Sequence, residues 1–257
     1  EQEDEAPEAA ASAPGERPAA DPALTARLRE GFGWQYPAAP LAAVPAKVSV
    51  TSIVHKAEQT TLERPGFLSK DGLTAAEMGT ALHAFLEHAD FAALAAAKQA
   101  GTLDEAILAE RDRQVHAQLT APEIADKLDV RRIRRFAESD AFARICASDE
   151  VLRELAFITA LPAAAVLAAQ GSPAPDPETA KASVLVQGIA DIVLVFPDHL
   201  ELLDYKTDRR KTEADYLAAY RAQLNLYAIA IEKRFAPKKV TYKGINSLEL
   251  GKLIEAK

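Results

Sequence analysis

The chain has 257 residues, of which 49% are hydrophobic and 26% are charged, and its formal net charge is −8. This composition is typical of a globular protein large enough for one or two cored domains, and no run approaches the roughly 20 apolar residues that would span a bilayer. The acidic N-terminus does not match a secretory signal, and the single cysteine, Cys146, excludes an internal disulfide and a thiolate metal cluster, so we expect a cytoplasmic protein.

The first part of the chain is predicted to be a linker and a connector. Residues 1–23 are rich in Ala, Pro and Glu, and they cannot bury enough apolar surface to offset the entropy lost on ordering. Residues 24–46 carry aromatic side chains among prolines and are predicted to be an ordered connector, which leaves residues 47–257 as the main domain. Because the chain starts with Glu1 and its only methionine is Met78, we expect a fragment of a longer protein.

Helices are predicted to dominate the next part of the chain. Thr74 and Glu77 have the spacing of a capping box. The helix that they begin carries a buried stripe at helical spacing, namely Met78, Leu82, Phe85 and Ala89. Further helices are predicted over 103–118, 121–128 and 130–145, before a first strand over 151–158.

A loop over residues 171–178 separates this part from an α/β segment. Strands are predicted over 183–196 and 200–206, joined by a turn at 197–199. Thr212 and Asp215 then predict the start of a long helix, and residues 239–246 predict a final strand. The apolar stripe of the long helix is Tyr216, Tyr220, Leu224, Tyr227 and Ile231. Strand, strand, helix and strand after a helical start indicate an α/β fold.

Three charged residues interrupt these apolar strands. Asp204 and Lys206 are two residues apart, so they share one face of their strand, and Asp191 can join them if the two strands pair. Carboxylate oxygens are the ligands that Mg²⁺ prefers, and a neighbouring lysine can stabilise charge that builds on a phosphate. Taken alone, the Asp204–Lys206 pattern is more typical of a structural salt bridge at a strand end than of a metal site.

The wider pattern resembles the PD-(D/E)XK nuclease superfamily, and within it the nuclease domains of AddA and RecB. The resemblance covers roughly residues 47–250 and is carried by four motifs in order. These are Gly79-Thr80-Ala81-Leu82-His83, Val186-Gln187-Gly188-Ile189-Ala190-Asp191, Asp204-Tyr205-Lys206-Thr207-Asp208-Arg209, and Gln223-Leu224-Asn225-Leu226-Tyr227. The fold that it implies is a central mixed sheet flanked by helices, like that of restriction endonucleases, with an N-terminal helical part.

The resemblance also implies the site residues. His83, Asp191, Asp204 and the main-chain carbonyl of Tyr205 would hold Mg²⁺, or Mn²⁺ as a substitute, and Lys206 would be the catalytic lysine. The remaining implied residues would line the site or contact DNA: Glu154, Thr207, Arg209, Gln223 and Tyr227. Without the resemblance, a satisfied structural histidine is the favoured interpretation of His83, and a helix-to-loop hydrogen bond is as good an interpretation of Gln223.

The implied function is metal-dependent cleavage of single-stranded DNA within an AddAB-type helicase–nuclease during double-strand-break repair. The implied partners are DNA, the helicase portion of the parent chain and its AddB-type partner protein. No phosphate loop for ATP is present in this sequence. Three alternatives compete with this function: a free-standing RecB-like exonuclease, a nuclease fold that has lost catalysis and serves as a binding scaffold, and a helical interaction domain with chance motifs. Retention of Asp191, Asp204 and Lys206 argues against the scaffold.

Overall fold

The computed structural model describes residues 21–34, 36, 39–42, 44–52, 75–208 and 212–257. The chain forms two compact units, residues 1–43 and 44–257. In the first unit, helix α1 (Pro22–Gly33) starts inside the predicted linker because the Asp21 carboxylate caps it by accepting from the Ala23 N–H. Helix α2 (Ala39–Ala42) follows. The rest of the predicted linker lies outside the described residues.

A mixed sheet forms the centre of the second unit. In the described ranges its strands are β1 (Lys47–Ser49), β2 (Glu150–Pro162), β3 (Ser183–Val195), β4 (His199–Lys206), β5 (Lys239–Ser247) and β6 (Lys252–Glu255). Strand β3 pairs antiparallel with β2 along its whole length. On its other side it pairs first with β1 in parallel and then with β4 antiparallel. Strand β5 pairs in parallel with β4 and antiparallel with β6. The predicted α/β fold with a mixed sheet is confirmed.

Helices cover the sheet on both sides. Before β2 the chain forms α3 (Ala75–His88), α4 (Phe91–Ala100), α5 (Leu103–His116), α6 (Pro122–Ala125), α7 (Val130–Ala137) and α8 (Asp140–Ala147). Between β2 and β3 it forms α9 (Ala163–Ala169) and α10 (Pro177–Lys181), and between β4 and β5 it forms α11 (Glu213–Arg234). One core cluster lies between the sheet and α11, and a second lies between the sheet and the helices that precede β2. Among the described helices, none is both long and apolar enough to cross a membrane.

Most predicted elements are present, with identifiable differences. The stripe of α3 is buried as predicted, whereas Thr74 of its proposed capping box lies outside the described residues. The predicted helix over 130–145 is two helices, because the Ser139 side chain accepts from the Phe142 N–H and starts α8. Within the predicted loop over 171–178, Asp176 caps α10. The capping box of Thr212 and Asp215 on α11 is present.

Candidate metal and catalytic site

The site forms where β3 and β4 separate. Their pairing ends at Ile192 on β3 and Leu203 on β4. The next position away from the turn is Asp191 on β3 and Asp204 on β4, and these two residues are not paired. The Tyr205 N–H, which no longer has a partner across this pair of strands, donates to Asp191 Oδ2 at 2.7 Å. The carboxylate of Asp191 therefore replaces a lost ladder hydrogen bond and is held in the gap between the strands.

Two further side chains meet Asp191 in this gap. On β2, Arg153 pairs with Ile192 and Leu155 pairs with Ala190, so Glu154 between them lies opposite Asp191. The backbone of Glu154 has a φ of +44°. His83 comes from α3, and its Nδ1 lies 3.5 Å from Glu154 Oε1. One potential ligand atom from each of His83, Glu154 and Asp191 falls within 4.8 Å of the other two.

This donor set fits a divalent cation. Two carboxylates held so close repel each other unless a positive charge compensates them. Burial lowers the pKa of His83, but its contact with Glu154 and the charge of Asp191 outweigh burial and raise the pKa of the imidazole. The positive φ of Glu154 is a strained conformation for a residue with a side chain, and such strain often marks a functional position. Imidazole nitrogen and carboxylate oxygen are both ligands that divalent metal ions take in proteins.

Asp204 and Lys206 form an ion pair beside this cluster, on the face toward α11. Lys206 Nζ lies 2.5 Å from Asp204 Oδ2, and the Asp204 side chain is 1% exposed. Burial raises the pKa of Asp204 to about 6, with a further contribution from the charge of Asp191 and an opposing one from Lys206. Burial lowers the pKa of Lys206, but the charges of Asp204 and Asp191 outweigh it and keep the ammonium charged.

Helix α11 supports the ion pair through an amide and a phenol. Gln223 Nε2 donates to Asp204 Oδ1 at 3.3 Å and to the Tyr227 hydroxyl at 2.9 Å. Gly188 on β3 provides the space for this arrangement, because a Cβ there would meet ring atoms of Phe157 at 2.8 Å and of Tyr227 at 2.9 Å. Both helix residues are buried, so their orientation is fixed by packing as well as by hydrogen bonds.

The chain after β4 lies close to α3 and is hydrogen-bonded to α11. A Cβ at Gly79 of α3 would lie 3.1 Å from Thr207 Oγ1, so the glycine permits close approach of the helix to this segment. The next residue, Asp208, accepts from the Tyr216 hydroxyl through its backbone oxygen and from the Tyr220 hydroxyl through Oδ2, both at 2.8 Å. The Tyr220 ring also lies 4.6 Å from Lys206 Nζ. The two hydrogen bonds to Asp208 hold the chain just beyond Lys206.

The structure brings the residues that the sequence singled out into two adjacent groups. His83, Asp191 and Glu154 form the first, and Asp204, Lys206, Gln223 and Tyr227 form the second. Tyr205 points its ring to the opposite face, between His83 and Phe136, and Arg209 lies outside the described residues.

Sequence reasoning did not assign a site role to Tyr216 or Tyr220. Both belong to the buried stripe of α11, and the signal was their helical spacing from Gln223 on that face.

The chain is similar to known nucleases and helicase–nucleases. A family model described as the PD-(D/E)XK nuclease superfamily matches residues 56–254. An ATP-dependent helicase/nuclease of the AddA type from Moorella thermoacetica is 36% identical over 228 residues, covering 82% of this chain and 15% of that protein. Its counterparts of the same name from Desulforamulus reducens and Pelotomaculum thermopropionicum are 30% and 34% identical, and each match covers more than four fifths of this chain and 17% of the relative. The chain thus spans less than a fifth of these relatives' length.

Proposed function

The chain belongs to the PD-(D/E)XK nuclease superfamily, and we propose that it is the metal-dependent DNA-cleaving domain of an AddAB-type helicase–nuclease. The observation that carries the proposal is the convergence of Asp191, Asp204 and Lys206 with His83 and Glu154 at the gap between β3 and β4. The reaction is hydrolysis of a phosphodiester in a single DNA strand, of the exonuclease type, during double-strand-break repair and recombination.

The proposed metal is Mg²⁺, with Mn²⁺ as a substitute. Its proposed ligands are His83, Asp191, Asp204 and the Tyr205 carbonyl, and the position of Glu154 within the 4.8 Å group supports adding its carboxylate to this set. When bound, the ion would supply Lewis acidity to the phosphate and to the attacking water.

The protein's own groups supply charge and position. The buried ammonium of Lys206 is held by Asp204 and can stabilise the negative charge that builds on the phosphate oxygens as water attacks and the ester oxygen leaves. Gln223 holds the second oxygen of Asp204, and Tyr227 holds Gln223, so this chain of contacts limits rotation of the acid. Thr207 lies directly beyond Lys206 and, with Arg209, is proposed to contact the DNA backbone.

The proposed partners follow from the relatives, whose name joins a helicase to a nuclease. We propose that a helicase portion of the same parent chain and an AddB-type partner protein deliver the DNA strand, in the cytoplasm. ATP hydrolysis is assigned to that helicase portion, because this sequence contains no phosphate-binding loop.

Cleavage of labelled single-stranded DNA with Mg²⁺ tests the proposal. The chain should cut the strand, Asp204→Asn should abolish cutting, and Asp198→Asn, an exposed acid on the turn at the other end of β4, should leave it unchanged. Cutting by Asp204→Asn at the wild-type rate would refute the site. Absence of cutting by every variant, together with no effect of Mg²⁺ or Mn²⁺ on thermal unfolding, would refute the function.

A further inference from the structure

On the face of β2 and β3 that points away from α11, three apolar side chains of the described residues are exposed, and we call this stretch the uncovered face. The side chains of Ile158 on β2 and of Leu185 and Ile189 on β3 are 61%, 38% and 51% exposed. In the register of the two strands, Ile158 lies opposite Gln187, which stands between Leu185 and Ile189, so the three share one face. The opposite face of the same strands packs against α11. Exposed apolar side chains grouped on one face in this way are typical of a binding surface.

This uncovered face leads directly to the candidate site. Ile189 precedes Asp191 by two residues on β3, and Ala156, opposite Ile189, follows Glu154 by two residues on β2. From Leu185 to Asp191 the strand extends about 20 Å at ~3.3 Å per residue. That length matches about six nucleotides at the ~3.4 Å spacing of a stacked strand. Any polymer that reaches the metal cluster along β3 must lie on these side chains.

Basic side chains border the face. From the end of α11, Lys233 Nζ donates to the Ala160 carbonyl at 2.8 Å and Arg234 Nη1 donates to the Ala156 carbonyl at 3.2 Å, so both reach the outer edge of β2. A groove of about 400 Å³ runs along this edge and includes Ile158 and both basic side chains in its lining. Each of the two cations uses one donor on β2 and has further N–H donors for a phosphate. A basic border is notable in a chain whose formal net charge is −8.

We propose that this face is the track on which a single DNA strand approaches the site, with its bases on Ile158, Leu185 and Ile189 and its phosphates near Lys233 and Arg234. Apolar side chains inside a basic border suit a single strand, because unpaired bases expose their apolar faces whereas a duplex hides them. The inference rests on the proposed nuclease function, which it extends by assigning the path of the substrate.

Equilibrium binding without divalent ions tests the track independently of catalysis. The ligand is a fluorescently labelled oligothymidine, and its anisotropy is measured over a series of salt concentrations. The apolar variant is Ile158→Thr/Ile189→Thr, in which threonine retains the preference for strand. The basic variant is Lys233→Gln/Arg234→Gln. Matched controls are Leu119→Thr, an exposed apolar residue elsewhere, and Arg131→Gln, an exposed cation on α7.

Both double variants should weaken binding about 5- to 10-fold, as expected for the loss of one or two base or phosphate contacts. The basic variant should also reduce the slope of log affinity against log salt by about 1.4, since each phosphate contact on a single strand contributes ~0.7. The apolar variant should leave binding of a duplex competitor unchanged, and the controls should behave as wild type.

Three outcomes distinguish the proposed DNA track from the proposed nuclease function and from a protein interface. Wild-type affinity in both double variants overturns the track, whether or not Asp204-dependent cleavage supports the nuclease. If neither the wild type nor Asp204→Asn cleaves DNA, but the double variants bind the single strand more weakly than the wild type, the track is supported and the proposed function fails. A change in elution volume on size exclusion without a change in DNA affinity overturns the track and identifies the face as a protein interface.

Discussion

Glu154 and Asp191 lie opposite each other on β2 and β3, and both strands exchange faces at this pair. On β3, Ala190 and Val193 contact the same core although they are three residues apart, and on β2 Leu152 and Leu155 do the same. Regular alternation would place each of these pairs on opposite faces. The reversal turns the two carboxylates out of both cores and into the gap where β3 and β4 separate.

The strain at Glu154 predicts a specific pattern in substitutions. The free energy of unfolding of Glu154→Gly should exceed that of Glu154→Gln by about 1 kcal/mol. Glycine adopts a φ of +44° without the steric cost that glutamine retains. Both variants lack the carboxylate, so both should bind Mn²⁺ more weakly than wild type. Urea unfolding followed by circular dichroism measures the difference, and equal stability of the two variants would show that the backbone is not strained there.

Metal binding should stabilise the fold. At a free Mg²⁺ or Mn²⁺ concentration ~100 times the dissociation constant, a single site adds about 2.7 kcal/mol to the free energy of unfolding. His83→Gln should greatly reduce the gain because it removes the imidazole from the three-residue cluster. His116→Gln on α5, an exposed histidine bonded to its own helix, is the matched control. Melting curves across a metal titration provide the measurement, and an identical gain in wild type and His83→Gln would exclude His83 as a ligand.

The elements with strong local signals were predictable from the sequence. The capping box at Thr212 and the buried stripe beyond it specified α11 within one residue of its start. The short β6 was not predicted, because Lys252–Glu255 is a strand through pairing with β5 and carries little local pattern. Ser139 ended a predicted helix early because its side chain caps the next one.

Most components of the site were visible in the sequence, but the position of Glu154 beside Asp191 was not. The spacing of Asp204 and Lys206 placed them on one face, and the structure pairs them. Nothing local to Glu154 signals that it would take a positive φ and face Asp191, since this depends on the long-range pairing of β2 with β3. The contact of Gly79 with Thr207 likewise depends on how α3 crosses the end of β4.

Gly188 should be intolerant of even one added methyl group. Gly188→Ala would place a Cβ within 3 Å of the rings of Phe157 and Tyr227, so we expect a loss of about 1–3 kcal/mol in stability and lower cleavage as Tyr227 shifts away from Gln223. Adding Phe157→Leu should restore part of the stability by making room. Urea unfolding of the single and double variants measures this, and a single variant as stable as wild type would show that the rings move at no cost.

The buried Glu110 should make stability depend on pH. Burial raises its pKa, but hydrogen bonds from Arg113 and Gln114 outweigh burial and lower the pKa below its ordinary value of 4.5. A depressed pKa in the folded state contributes stability at neutral pH that is lost as pH falls from about 4.5 through the folded value. Glu110→Gln should therefore destabilise the fold at pH 7, and its deficit should shrink in acid. Unfolding free energies between pH 3 and 7 test this, with the exposed Glu105→Gln as control; a deficit independent of pH would contradict it.

Tyr220 should position Lys206 through its ring rather than its hydroxyl. The ammonium lies 4.6 Å from the ring centre, and a cation–π contact at a partly buried site contributes about 0.5–2 kcal/mol. Tyr220→Phe keeps the ring and loses the hydrogen bond to Asp208, so we expect kcat within about threefold of wild type. Tyr220→Leu removes the ring, and kcat should fall about tenfold, the rate equivalent of ~1.4 kcal/mol, while KM for an oligonucleotide stays the same. Steady-state cleavage kinetics separate the two parameters. Equal losses in the phenylalanine and leucine variants would assign the effect to the hydroxyl, and a rise in KM alone would place Tyr220 in substrate binding rather than in holding the lysine.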